Sequence, residues 1–300
     1  MVISAALQNL LFNKPSAIAV PRFPPPIMVI FMISIWATKY LYFFLSDAII
    51  LHKTYLSSMI KLVKFIKDGL LAVPVTLLFH PFSKLLLTLL YFNKLIIWIR
   101  KNKKTLIYSD FYSPLRNYNK RFELYAFLLQ HFQLKNEPVT YLEYGVASGA
   151  SFNWWLQNNQ NPASQFYGFD TFEGLPENWG SFYKKGDMSS AIPTTGDSRA
   201  QFIKGLFQDK LKGFIGHQQD LLHQQRRLVI HMDADLYSST AFVLSMLYPF
   251  LKKGDIITFD EFSVPMHEFK AFYEFTHNFY INLKPVAAVN NFYQTAFVVD

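Results

Sequence analysis

Acidic residues recur in this chain at the ends of short apolar runs, and two glycines stand beside the first of them. The segment Tyr141-Leu-Glu-Tyr-Gly-Val-Ala-Ser-Gly-Ala-Ser151 leads from an extended run through Glu143 to Gly145, Ala147 and Gly149. Glycines at such a point let the backbone turn sharply and approach a ligand more closely than any Cβ allows. A helix is expected from about Ser151, its first N–H groups unpaired and facing the turn. The spacing G-x-x-x-G departs from the G-x-G-x-x-G of dinucleotide sites, and Glu143 ahead of it suits an amine-bearing ligand. The same residues would also make an ordinary strand-to-helix turn. On the ligand reading, a bulky residue at position 145 blocks the ligand and spares the sheet.

Those residues need strands behind them, and the sequence supplies five. After Tyr141–Tyr144, Gln165–Asp170 reads as a second buried strand ending in an acid, where nucleotide-binding α/β folds accept ribose hydroxyls. Asp170 in Asp-Thr-Phe-Glu-Gly would equally cap a turn. Ala200–Lys204 is a third strand, Arg227–Asp233 a fourth running into Asp235, and Asp255–Asp260 a fifth followed by Glu261. A helix over Thr240–Leu251 closes on Lys252-Lys253-Gly254, basic residues and a glycine suited to a helix C-terminus. Strands alternating with helices give a doubly wound, mostly parallel sheet, with ligands beyond the carboxyl ends of its strands. The acids all fall at that edge.

Residues Tyr141–Asp300 resemble class I S-adenosylmethionine (SAM)-dependent methyltransferases, and within them the macrocin O-methyltransferase family. The glycine segment carries the resemblance, together with Tyr167-Gly-Phe-Asp-Thr-Phe-Glu-Gly-Leu-Pro176, His231-Met-Asp-Ala-Asp-Leu-Tyr-Ser-Ser-Thr240 and Thr258-Phe-Asp-Glu-Phe262. His267–Phe275 fits as well. The resemblance implies a seven-stranded Rossmann-like sheet with a C-terminal antiparallel hairpin, matched here by Leu283–Val289 and Tyr293–Asp300. It implies that Glu143 meets the SAM amino group, that Gly145, Ala147, Gly149 and Ser151 line its methionine part, and that Asp170 holds the ribose. It also implies Mg²⁺ held by Asp233, Asp260 and Glu261, although family members often end the fifth strand in two Asp. Carboxylates make a hard, all-oxygen site of the kind Mg²⁺ takes, and such an ion lowers the pKa of an acceptor hydroxyl. Asp235 is then a further ligand or the general base. Alternatively, Asp233 and Asp235 cap the helix near Ser238-Ser239-Thr240. A small-molecule, sugar or glycolipid hydroxyl is the expected acceptor, shaped by the loop Glu173–Arg199 with Trp179, Phe182 and Tyr183. A silent SAM-binding scaffold of the same fold is the alternative.

Composition narrows the rest. The chain has 300 residues and no Cys, which excludes disulfides, thiolate metal sites and a Cys nucleophile. Residues 1–104 carry 13 Lys/Arg against Asp47 and Asp68, whereas residues 105–300 carry 16 basic and 19 acidic residues. A catalytic part without a basic surplus argues against nucleic acid as a partner. No Gly-x-Ser-x-Gly elbow or Walker-type Gly-Lys-Ser/Thr occurs.

Residues 1–107 read as an apolar, basic helical region, with the methyltransferase domain at 108–300. Ile27–Leu45 has Lys39 as its one charge and is about long enough to cross a bilayer. His52–Asp68 sets Lys53, Lys61, Lys64 and Lys67 among apolar residues, the pattern of a helix lying on anionic headgroups. Leu70–Trp98 is apolar, broken by Pro74 and Pro81, and closes on Arg100-Lys101-Asn102-Lys103-Lys104. It reads as an interfacial or re-entrant hairpin. Membrane association through residues 27–104 would leave the catalytic domain on the cytoplasmic side. Cap helices, a lid or a homo-oligomer arm are the other reading. Removing residues up to about Ser109 is expected to free a domain that binds SAM. His231 inside the fourth strand reads as a satisfied core histidine. Phe122, Tyr125, Ala126, Leu129 and Phe132 mark a helix covering the sheet.

Overall fold

The computed structural model describes residues 54–72, 75–180, 182–224 and 226–300. The apolar run Ile27–Leu45 lies outside the described residues. Two compact units divide at His80–Pro81. Within the first, residues 54–72 form a helix (α1) whose residues are exposed throughout, among them Leu56, Ile60, Val63 and Phe65.

The second unit starts inside a short 3-10 segment, Val75–Phe82, and continues as α2 (Ser83–Asn102). An eight-stranded sheet follows. In chain order its elements are β1 (Tyr108–Ser109), α3 (Lys120–His131), β2 (Val139–Tyr144), α4 (Ala150–Asn158), β3 (Gln165–Asp170) and β4 (Ala200–Lys204). Then come α5 (Phe207–His217), α6 (Gln219–His223), β5 (Arg227–Met232), α7 (Tyr237–Leu247), β6 (Ile256–Phe259), α8 (Glu268–Asn278), β7 (Leu283–Val289) and β8 (Gln294–Val299). Spatial order is β1-β7-β8-β6-β5-β2-β3-β4, and β8 alone runs against the others. This is the Rossmann-like methyltransferase architecture with its antiparallel end. The two-residue β1, parallel to β7, adds an eighth strand to the seven expected. Helix α7 begins three residues before the expected Thr240, because Asp233–Leu236 form the whole turn out of β5.

Every residue of β2 is buried, because helices cover both faces. Period-two alternation sends Leu142 and Tyr144 into a core with α2, α5, α7 and α8, and Val139 and Tyr141 into one with α3 and α4. On α3 the covering stripe is Leu124, Tyr125 and Leu128. The chain runs from β2 outward to β4 and returns to β5 on the other side of β2. That reversal parts the loops after β2 and β5 and opens a crevice at their carboxyl ends.

Helix α2 belongs to this core. Tyr91 and Leu95 are buried, and the Trp98 ring meets Phe262, Phe272, Phe292 and Phe297 at centroid distances of 4.9–6.0 Å. The Tyr91 and Tyr237 hydroxyls donate to Glu274 at 2.5 and 2.6 Å. A truncation to Ser109, expected above to leave an intact domain, would strip Trp98 out of this cluster. The cut compatible with the packing falls at His80.

Candidate active site

The strand ladder continues into the site. Gly145 N–H donates to Phe169 C=O, Asp233 N–H to Tyr144 C=O and Asp260 N–H to Met232 C=O, each at 2.9 Å. These bonds fix the first residue beyond β2, β5 and β6, and so fix where the acids begin.

Gly145 has φ +97°, and a Cβ there would lie 1.8 Å from the Asp233 carbonyl oxygen. The glycine is therefore required by the approach of two backbones, not by ligand access alone. A bulky residue at 145 would push the β2 loop off the end of β5, which corrects the expectation that the sheet would be spared. Gly149, φ +82°, starts α4, and a Cβ there would press on the Pro193 ring at 2.8 Å.

A cavity of about 340 Å³ opens at this edge, within the range of small-ligand sites. Gly145, Ala147, Asp170, Asp233, Asp235, Asp260 and Glu261 line it. Three residues assigned from sequence do not line it. Gly149 is under Pro193, Ser151 is buried against the Tyr125 hydroxyl at 3.1 Å, and Glu143 is buried and accepts from the Tyr141 hydroxyl. Burial raises Glu143 to about 8. Asp170 uses one oxygen to accept from Ala147 N–H at 2.8 Å and the other from Phe172 N–H at 2.7 Å. It thus shapes the glycine turn while facing the cavity, and the capping and ligand readings coincide in one residue.

The acidic end is crowded. Burial, then the neighbouring carboxylates, raise Asp233 and Glu261 well above the usual carboxylate range. Asp235 is raised to about 7 by burial and by Asp260 and Asp170, and has φ +55°, rare for a non-glycine residue. Backbone held in that region clusters at functional sites. The carboxylates of Asp233, Asp235 and Glu261 converge, with ligand atoms all within 4.8 Å of one another, and Asp233 and Asp260 form a second such group with His231. Asp260 and Glu261 fall in different groups. Two buried oxygens, Asp260 Oδ1 and Glu261 Oε2, have no hydrogen-bond partner. Orphaned carboxylate oxygens in an all-oxygen set fit a hard divalent cation. His231 is otherwise engaged: Nδ1 lies 2.7 Å from Thr258 Oγ1 and Nε2 3.3 Å from the Tyr125 hydroxyl. Burial and Arg121 lower it to about 3, leaving it neutral.

Sequence reasoning passed over Arg121. Its Nη2 lies 3.2 Å from Asp260 Oδ2 and its Nη1 4.0 Å from Asp233 Oδ2. It stands in the first turn of α3, with Tyr118 just ahead of the helix, and both line the cavity. No motif marks it; only the fold brings residue 121 to the ends of β5 and β6. Over the opposite rim, Trp179 and Tyr183 stack at 5.0 Å within the Glu173–Arg199 loop.

Residues 142–262 match a family model described as a methyltransferase domain. No curated protein matches the chain. Among solved structures, the calicheamicin methyltransferase CalS11 is 17% identical, with 69% of this chain and 91% of that one covered, at a TM-score of 0.48. The O-methyltransferase NovP is 21% identical, covering 60% and 79%, at 0.45. Fibrillarin from Aeropyrum pernix, solved with natively bound SAM, is 15% identical, covering 59% and 74%, at 0.36. The family match covers β2 to β6 and the glycine turn described above.

Proposed function

We propose that this chain transfers the SAM methyl group to a hydroxyl of a small-molecule, sugar or glycolipid acceptor, with Mg²⁺ at the acidic end of the site. The observation that carries the reading is Asp235. It is a cavity carboxylate held at positive φ, with a pKa near 7, beside the Asp233–Glu261 cluster. A general base works best with a pKa near the operating pH. In the reaction, Asp235 takes the acceptor's O–H proton while the oxygen forms a bond to the methyl carbon. The methyl–sulfur bond breaks with its electron pair returning to sulfur, which gives a methyl ether, S-adenosylhomocysteine and protonated Asp235.

The chain's residues divide the remaining work. Backbone at Gly145 and Ala147 offers close approach for the methionine part, with Asp170 beside them for the ribose. Glu143, buried at the end of β2, would meet the SAM amino group directly or through water. Asp233 and Glu261, whose carboxylates converge, would hold the cation, with Asp260 joining Asp233 in the neighbouring group; when bound, the ion supplies acidification and orientation of the acceptor hydroxyl. Trp179, Tyr183 and Tyr118 present flat apolar faces to the acceptor. The test is incubation of purified protein with methyl-labelled SAM, Mg²⁺ and a panel of alcohols and glycosides. Labelled ether, formed one for one with S-adenosylhomocysteine and lost in EDTA, supports the reading. Undiminished transfer in EDTA would remove the metal from it.

The membrane belongs to the same proposal. The helix His80–Asn102 has the length and mean hydropathy, 1.5, to cross a bilayer, and 11% of that apolar window is buried. Because Tyr91, Leu95 and Trp98 are committed to the core, its outward face, with Leu85, Leu89, Phe92 and Ile96 exposed, is what remains to meet lipid. Arg100, Lys101, Lys103 and Lys104 follow, and no Asp or Glu occurs in residues 69–109. That pairing of apolar and basic surface suits the interface of an anionic, cytoplasmic leaflet. Co-flotation with vesicles containing phosphatidylserine, reduced by Leu89→Glu with Phe92→Glu, supports it. Equal recovery of both proteins in the unbound fraction would contradict it.

A further inference from the structure

We infer that Arg121 is a resident counter-cation of the acidic cluster and competes with the divalent ion for Asp260. The inference rests on the metal reading above. Among the cavity's lining residues Arg121 is the one cation, and Asp233, Asp235, Asp260 and Glu261 line the same cavity. Carboxylates this close, with their burial, favour protonation unless positive charge is supplied. Arg121 supplies it in two contacts, at 3.2 Å to Asp260 and 4.0 Å to Asp233.

The arrangement bears on metal affinity in two ways. First, one oxygen of Asp260 is already satisfied by the guanidinium, and the other is buried without a partner. An ion drawn to that carboxylate meets a positive charge at the same group, in surroundings that screen poorly. Second, Arg121 has somewhere else to go. Its Nε already donates to Tyr118 C=O at 3.3 Å, and its guanidinium lies 5.7 Å from the Tyr118 ring. Release from Asp260 would leave these two Tyr118 partners to hold the side chain. The stem stays on α3, so the exchange moves one side chain between a carboxylate and an aromatic face. A guanidinium does not deprotonate at physiological pH, so the competitor is permanent and metal affinity is set by displacement.

The consequence is a site whose charge repulsion is relieved in part without metal, and which binds metal more weakly than its carboxylates alone would. Arg121 also faces the acceptor side of the cavity beside Tyr118, so its release would alter the wall that the acceptor meets. It is a positioning residue in this sense.

The test is calorimetric titration of Mn²⁺ into the full chain without acceptor, comparing wild type, Arg121→Gln, Arg121→Lys and Arg116→Gln. Arg116 is a nearby control whose guanidinium lies 3.6 Å over the Tyr293 ring and forms no ion pair with the acids. Arg121→Gln is expected to bind Mn²⁺ about tenfold more tightly, the scale on which a charge about 4–6 Å away moves an ionisation equilibrium. Its metal-free form should melt below wild type, with saturating Mn²⁺ closing the gap. Arg116→Gln, which breaks no ion pair with the acids, should change affinity by less than about threefold. Equal or weaker binding by Arg121→Gln overturns the inference, since Arg121 would then position Asp260 for the ion. Should the Gln variant not fold, Arg121→Lys decides. An ammonium keeps the positive charge but cannot fork across Asp260 and Asp233, so binding should be unchanged or tighter, and weaker binding overturns the inference. If no protein, wild type included, binds Mn²⁺ at millimolar concentration, the metal reading itself fails.

Discussion

Gly145→Ala separates a structural from a purely ligand-facing role for the glycine turn. The added Cβ would stand 1.8 Å from the Asp233 carbonyl oxygen and 2.7 Å from its carbonyl carbon, neither of which is a flexible side-chain end. Backbone held at φ +97° adds strain for any residue with a Cβ. Strain at a positive φ costs about 1–3 kcal/mol and overpacking about as much again, so a loss of roughly 4 kcal/mol is expected. For a unit of this size each kcal/mol moves Tm by about 2–4 °C, which gives a fall of roughly 8–16 °C. Gly254→Ala is the control, since Gly254 has φ +93° with nothing near its missing Cβ. It should show the strain component alone, about 1–3 kcal/mol. Thermal unfolding followed by circular dichroism, with and without SAM, reads both. If Gly145→Ala melts within about 2 °C of wild type, or no lower than Gly254→Ala, the backbone-contact account of Gly145 is wrong.

Asp235→Asn should lower methyl transfer by about 10²–10⁴-fold, the usual worth of a general base, with SAM affinity retained in titration. In wild type the rate should climb with pH and level off at or below about 7, the value Asp235 has without the ion, because a bound cation favours its ionised form; a flat profile from pH 5 to 9 would contradict the base assignment. Glu143 has a folded pKa of about 8 against an ordinary 4.5, so the folded state holds a proton that the unfolded chain has lost. Stability from this group is full below about pH 4.5 and is lost as pH rises towards 8. Glu143→Gln should flatten that part of the denaturation profile, and an unaltered slope would refute the assignment. Trp98→Ala should destabilise the second unit by about 3 kcal/mol through lost ring packing, whereas a Tm unchanged from wild type would detach α2 from the core.

How much of this could be read from residue order follows from the range over which each feature is determined. Strands β2 to β6 and the acids closing them were legible because apolar runs, glycines and terminal carboxylates are local signals. The C-terminal hairpin was legible for the same reason. The place of Trp98 was not, since α2 carries apolar residues on more than its docking face and its sequence does not mark the one stripe that docks. Two-residue β1 carries no periodicity and exists through its partner β7. The Gly145 collision with Asp233 joins loops 88 positions apart and depends on strand register, not on residue type. Arg121 is the largest omission. On α3 it is an ordinary polar position, and its importance arises when the return of the chain sets β5 and β6 beside the start of that helix.

Calorimetric titration of the full-length protein with SAM tests the central claim most directly, because a methyltransferase reading of this cavity requires the methyl donor to bind there. The account predicts a single site that S-adenosylhomocysteine competes for and that Asp170→Ala weakens. The absence of binding heat at millimolar SAM, with folded protein confirmed in the same cell, would contradict it.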